Sequence, residues 1–165
     1  MTAYPKTAKP LNELAEALLR ESDSLTPAER EMIATFVSSG NQCYFCTNSH
    51  AAVSRNLLDK DKGLMDEVMK DYRAAKVSDK MKALLTIADK VRRDARTVNE
   101  QDVAQARKFG ADDRAIHDTV LIAAAFCMYN RYVDGLATWA PRDPSVYEGI
   151  GAMLVEKGYR NAISY

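Results

Sequence analysis

Apolar residues recur three or four positions apart along almost the whole chain, and that period suits helices rather than strands. The first stripe is Leu11, Leu14, Ala15, Leu18 and Leu19. Thr26-Pro27-Ala28-Glu29 reads as a capping box with proline at the first helical position. It opens a helix with Met32, Ile33, Phe36 and Val37 on one side, stopping near Gly40. A segment from about Asn41 to Leu58 follows, then a short helix bearing Leu64, Met65, Val68, Met69 and Tyr72. Ser78 caps a helix with Met81, Leu84, Leu85, Ala88 and Val91. Asn99 with Asp102 marks another start and Gly110 a stop. Asp112 caps the longest helix, which runs to about Ala137, and Pro141 and Pro144 break the chain after it. The last helix carries Val146, Ile150, Met153 and Leu154 and ends near Gly158. About eight helices with no strand signal predict an all-α, single-domain helical bundle. The domain is expected to fill residues 1–165, with residues 1–10 as an N-terminal tail.

A chain of 165 residues can bury a substantial core. Lys plus Arg and Asp plus Glu both total 23, so the net charge is zero. That balance points away from nucleic acid and from anionic membranes, and it does little to oppose a homo-oligomer. Three cysteines are too few, and an odd number, for a secreted disulfide framework. The start, MTAYPKTAKP, lacks the apolar stretch of a signal peptide, and the longest apolar run, Val120 to Tyr129, is too short to span a membrane. The expectation is a cytoplasmic protein with reduced thiols. Ile122 to Met128 is apolar around most of the helix, which suits a central helix of the monomer, a subunit interface, or both.

Cys43, Cys46 and His50 stand at i, i+3 and i+7, one face of a helix, in the pattern Glu31-x11-Cys43-x2-Cys46-x3-His50. Two thiols that can join, beside a base and a carboxylate, are the parts of a redox-active site. A free thiol is only roughly 3% ionised at neutral pH. Lowering its pKa by two units takes roughly 2.7 kcal/mol, more than the roughly 0.3–1 kcal/mol that a helix N-terminus usually supplies. A hydrogen-bonding partner is therefore needed, and His50, one turn from Cys46, is the candidate. Glu31 would orient that imidazole or relay its proton. On this reasoning Cys46 attacks and Cys43 resolves the sulfenic acid as a disulfide.

The motif, with LTPAEREMIATFVS before it, AAVSRNLL after it and AAAFCMYNRYVDGLAT further on, resembles the alkylhydroperoxidase D-like (AhpD-like) branch of the carboxymuconolactone decarboxylase superfamily, in its peroxidase-related subgroup. The likeness runs roughly from Leu11 to Tyr159. It implies an all-helical fold assembled as a dimer, trimer or hexamer. It also implies reduction of a small organic hydroperoxide in which Cys46 attacks, Cys43 resolves, and Glu31 and His50 relay the proton. An external dithiol, thioredoxin-like or a lipoyl protein, would restore the thiols and must reach the disulfide, so the site should be partly open. No flavin, haem or nicotinamide motif appears, so no cofactor is expected.

Other readings of the same residues stand beside these. Cys43 and Cys46 could be core residues, or could ligate zinc with His50 and a fourth group such as His117 or Cys127. Glu31 could lie on a solvated face. Cys127 reads as core rather than a third redox thiol, and His117 as surface or structural. Asn130, Arg131 and Asp134 suit interhelical pairs better than an anion site, and Tyr44 and Phe45 suit either packing or a pocket wall. In function, the alternative is a non-catalytic, redox-responsive oligomer whose Cys43–Cys46 disulfide controls assembly or partner binding. A decarboxylase or lactonase activity is a weaker third, since that chemistry needs no thiol pair.

Overall fold

The computed structural model describes residues 4–21, 23–58 and 63–161, and every regular element among them is helical. In chain order these are α1 (Pro5–Arg20), α2 (Pro27–Gly40), α3 (Tyr44–Leu57), α4 (Leu64–Asp71), α5 (Asp79–Asp94), α6 (Glu100–Lys108), α7 (Asp113–Gly135) and α8 (Pro144–Asn161). A single 3-10 turn, Ala95–Thr97, joins α5 to α6. None of these helices is long and apolar enough to cross a membrane.

The caps follow from local chemistry. Thr26 Oγ1 accepts from the Glu29 N–H while Glu29 Oε2 accepts from the Thr26 N–H, closing the capping box of α2. Asn99 and Asp102 repeat the device on α6. Ser78 caps α5 and Asp112 caps α7 through single side-chain acceptors. Each such cap is worth about 1 kcal/mol.

Two boundaries differ from expectation. Residues 5–10, expected as tail, form the first turns of α1. Pro5 has its φ preset for a helix start, and Ala8, only 2% exposed, is buried like Ala15, Leu18 and Leu19 of the stripe. The second boundary is α3, which starts at Tyr44 rather than near Asn41 and leaves Cys43 as its N-cap. Residues 41–43 turn the chain out of α2, with Gln42 at φ 62°.

Leu19, Ile33, Val53, Leu84, Ile122 and Phe126 meet in one apolar core, each such side chain contributing about 1.5–3 kcal/mol by leaving water. α2 packs along α3, α3 against α8, α7 against α2 and α5, and α1 against α8. The α3–α8 approach is close enough to require glycine, since a Cβ on Gly151 would lie 2.8 Å from the Ala52 carbonyl carbon. α7 is buried on one side only. Val120, Leu121 and Met128 remain 36–43% exposed although the sequence is apolar around the helix.

Candidate thiol site

Four elements converge on the predicted residues. α2 supplies Glu31, which is fully buried rather than on a solvated face. α3 supplies Cys46 and His50 from its first two turns and Cys43 from its N-cap. α7 contributes Phe126, whose ring meets His50 edge-on at 4.7 Å, and α8 contributes Tyr159, stacked on the imidazole at 5.8 Å.

The polar contacts run in one chain. His50 Nδ1 lies 2.9 Å from Glu31 Oε2. Tyr159 donates its hydroxyl proton to Glu31 Oε1 at 2.5 Å, and the Tyr159 hydroxyl oxygen sits 3.1 Å from His50 Nδ1. Both carboxylate oxygens are thus engaged, as a buried charge requires. Burial by itself would lower the His50 pKa, but the hydrogen bond and charge of Glu31, with the sulfur of Cys46, hold it above its ordinary 6.5.

The two thiols are driven apart. Cys46 falls from 9.0 to about 7, chiefly because the Cys43 thiol donates to it, against burial that would raise it. The positive charge of His50 and a hydrogen bond from Asn130 lower it further. Cys43 shifts upward for the reciprocal reason, as the donor to Cys46, with burial and Asp134 acting in the same direction. His50 therefore aids Cys46 but is not the strongest influence, as reasoning from the helix alone had it. The N-cap position sets the Cys43 sulfur beside Cys46, and a neighbouring donor acts more strongly than a charge farther off.

Access differs too. Cys46, 4% exposed, lines an apolar cavity of about 270 Å³ together with Ser49, His50 and Tyr159. Phe45, Tyr129, Ile150 and Leu154 supply its apolar walls. Cys43 is fully buried and is not part of that lining. The pair is reduced. One sulfur faces a cavity, and the other does not.

The remaining candidates fall elsewhere. Cys127 is half-buried, 3.5 Å from Asn41 Nδ2, and His117 pairs with Asp118 at 2.9 Å. Neither belongs to the thiol cluster, and among the described residues no group of three His, Cys, Asp or Glu side chains is arranged to hold a metal. Arg131 is exposed and donates to the Cys127 carbonyl. Asn130 is buried, accepting from Asn41 and donating to Ser38 Oγ. Tyr44 is stacked under Arg142, and both Tyr44 and Phe45 meet Tyr147 edge-on, so the dipeptide between the cysteines is clamped by the start of α8. Tyr159 is the residue that motif reasoning missed. Its position rests on a contact with Glu16, 143 residues away, which leaves no local signal.

The family model for carboxymuconolactone decarboxylase matches residues 5–90. Among solved structures the chain is similar to the alkylhydroperoxidase AhpD core of a peroxidase-related protein from Ralstonia eutropha JMP134, with 28% identity and a TM-score of 0.80 over 90% of this chain and 76% of that one. It is also similar to a peroxidase-related protein from Silicibacter sp. TM1040, with 30% identity and a TM-score of 0.76 over 85% of this chain and 71% of that one. A comparison with curated proteins gave no match. With the helical order, the buried Glu31 and the cysteine pair at the start of α3 in place, the chain belongs to the carboxymuconolactone decarboxylase family as an AhpD-like member.

Proposed function

We propose that the protein is a thiol-dependent peroxidase acting on small organic hydroperoxides. The observation that carries this reading is the contrast between the two sulfurs: Cys46 is activated and faces a cavity, while Cys43 holds its proton beside it. The Cys46 thiolate attacks one peroxide oxygen, the O–O bond breaks, and the alkoxide takes a proton from the His50 imidazolium. This leaves Cys46 sulfenic acid and an alcohol. Cys43 then attacks the Cys46 sulfur, its proton leaves with the sulfenic hydroxyl as water, and a Cys43–Cys46 disulfide closes. An external dithiol, thioredoxin-like or lipoyl-bearing, reduces that disulfide by attack on Cys46, the sulfur that lines the cavity. Glu31 holds the imidazole and balances its charge throughout. The apolar walls favour an alkyl or aryl tail over hydrogen peroxide.

Steady-state turnover of tert-butyl and cumene hydroperoxides with a dithiol, followed by thiol counting, tests the reading. Turnover is expected in the wild type and lost in Cys46→Ser, while Cys43→Ser leaves a dimedone-reactive sulfenic acid on Cys46. One stoichiometric oxidation without turnover favours a redox-responsive protein instead. For assembly, Val120, Leu121 and Met128 on the outer face of α7 are the proposed contact of a homo-oligomer. Leu121→Glu should then lower the mass measured by light scattering.

A further inference from the structure

α8 is kinked near its end, at Gly158. Gly158 takes φ 72° and ψ 178°, a conformation that side-chain-bearing residues rarely adopt. A Cβ there would also come within 2.6 Å of Glu16 Oε2. That carboxylate oxygen, from α1, accepts the backbone N–H of Tyr159 at 2.6 Å and that of Arg160 at 3.3 Å. One turn further along α1, Arg20 donates to the Val155 carbonyl of α8 at 2.9 Å. Two side chains of α1 thus grip the end of α8, and the residue presented by that grip is Tyr159. Its hydroxyl is buried between Glu31 and His50, and its ring lies almost parallel to the imidazole, at 16°.

We infer that Tyr159 is a positioning residue of the thiol site, latched by Glu16, and that it sets the thiolate character of Cys46 by way of Glu31 and His50. This rests on the thiol site proposed above but not on the identity of its oxidant. The mechanism is a matter of satisfied groups. Glu31 Oε1 has Tyr159 as its donor; without it, a buried carboxylate oxygen loses its hydrogen bond and supports the imidazolium less well. With Glu31 Oε2 and the Tyr159 oxygen both facing Nδ1, that nitrogen carries the proton, and the other ring nitrogen is left for chemistry. The groups that bear on this chain are Glu31 from α2, Glu16 and Arg20 from α1, Cys43 and Cys46 at the start of α3, and Asn130 and Asp134 from α7. Of these, Glu16 and Arg20 reach the site through Tyr159.

The test is the pH dependence of Cys46 alkylation by iodoacetamide in a Cys43→Ser, Cys127→Ser background, which needs no peroxide. Tyr159→Phe keeps the stacked ring and removes the hydroxyl; it is expected to raise the alkylation midpoint by about half to one unit, a roughly 3–10-fold loss of thiolate on the acid side. Glu16→Ala should shift it in the same direction, Glu16→Gln should restore most of it through its carbonyl oxygen, and Tyr159→Phe/Glu16→Ala should shift no further than Tyr159→Phe. A folded Tyr159→Phe or Glu16→Ala protein with the wild-type midpoint overturns the inference, as does full additivity in the double variant. If Tyr159→Phe does not fold, the Glu16 pair decides. Nitrogen NMR of His50 in the wild type decides independently of any variant: a protonated Nδ1 is expected, and a ring protonated only on the other nitrogen overturns it. A wild type inert to peroxides with the Glu16→Ala shift intact removes the peroxidase reading and leaves the latch. Peroxide turnover with no shift does the reverse.

Discussion

Arg30 and Glu31 are consecutive on α2, both without solvent exposure, and their side chains lead into opposite kinds of surroundings. The Arg30 guanidinium donates to the carbonyls of Leu18 and Leu25 and to the carboxylates of Asp23 and Asp118. Asp118 also accepts from Arg114 and lies 2.9 Å from His117, and Arg114 reaches out to Glu21 at the surface. Every donor there ends on a fixed acceptor, and none of the cavity lining belongs to this network. The Glu31 network is buried or nearly so throughout, and it runs by way of His50 and Tyr159 to a thiol on a cavity wall. A buried charge by itself is therefore weak evidence of function. What separates the two regions is whether the chain of contacts closes on itself or opens on a space a substrate can enter.

The largest expected effect divides them by kind. Arg30→Met removes the cation that Asp118 and the α1–α2 carbonyls surround, leaving buried acceptors unpaired, and should cost about 3–5 kcal/mol in urea unfolding. The Cys46 alkylation midpoint should not move. A midpoint displaced as far as in a Glu31 variant would erase the distinction between the two networks. Glu31→Gln is the counterpart. It should slow turnover by about 10–100-fold by analogy with other residues that orient a reacting group. It should also raise the Cys46 midpoint, with a smaller loss of stability than Arg30→Met, because the amide still packs and still bonds. Stopped-flow alkylation and urea titration of the same sample check both halves.

That comparison also shows why some of the molecule is legible in one dimension and some is not. Thr26 with Glu29 and Asn99 with Asp102 act over three residues, so the starts of α2 and α6 could be read directly. Cys46 and His50 lie within one helix, and helical geometry alone puts them on one face. Glu31 needed one further fact, that α2 folds back on α3, and the short link between them made that a modest step. Tyr159 needed much more. Its place depends on a left-handed glycine and on a carboxylate 143 residues away, and neither leaves a local pattern. Arg30 was equally hidden, since an arginine in the first turn of an amphipathic helix reads as solvated until its partners from α7 and the α1–α2 loop are known. Long-range polar contacts carry no periodicity, which is why apolar stripes predicted the bundle while the Arg30 network and the Tyr159 end of the Glu31 network stayed hidden.

The smallest effect is in stability against pH, and its sign distinguishes the regions again. The Asp118 carboxyl lies below its ordinary 3.8: burial pushes it up, but hydrogen bonds from Arg114, His117 and Arg30 outweigh that. A depressed carboxylate stabilises the fold above its unfolded value and loses that contribution as pH falls through its folded value, so the Arg30 cluster stabilises at neutral pH and its slope with pH is confined to acid, below 3.8. Cys46 is also depressed, so by itself it would make the fold more stable as pH rises from about 7 to 9.0. His50 is raised above 6.5, so its contribution is complete below that value and is lost as pH climbs through its folded value. Over the range in which His50 keeps its proton the two slopes oppose. The folded state has moved one proton from sulfur to imidazole, and its total matches that of the unfolded chain. Thiolate absorbance should therefore rise with a midpoint near 7 while the unfolding free energy stays nearly flat across it. His50→Gln removes the compensating imidazolium: the midpoint should rise, and a positive slope of stability with pH should appear above it. A wild-type stability curve that climbs steeply through the thiolate midpoint would mean that His50 does not keep its proton while Cys46 is ionised.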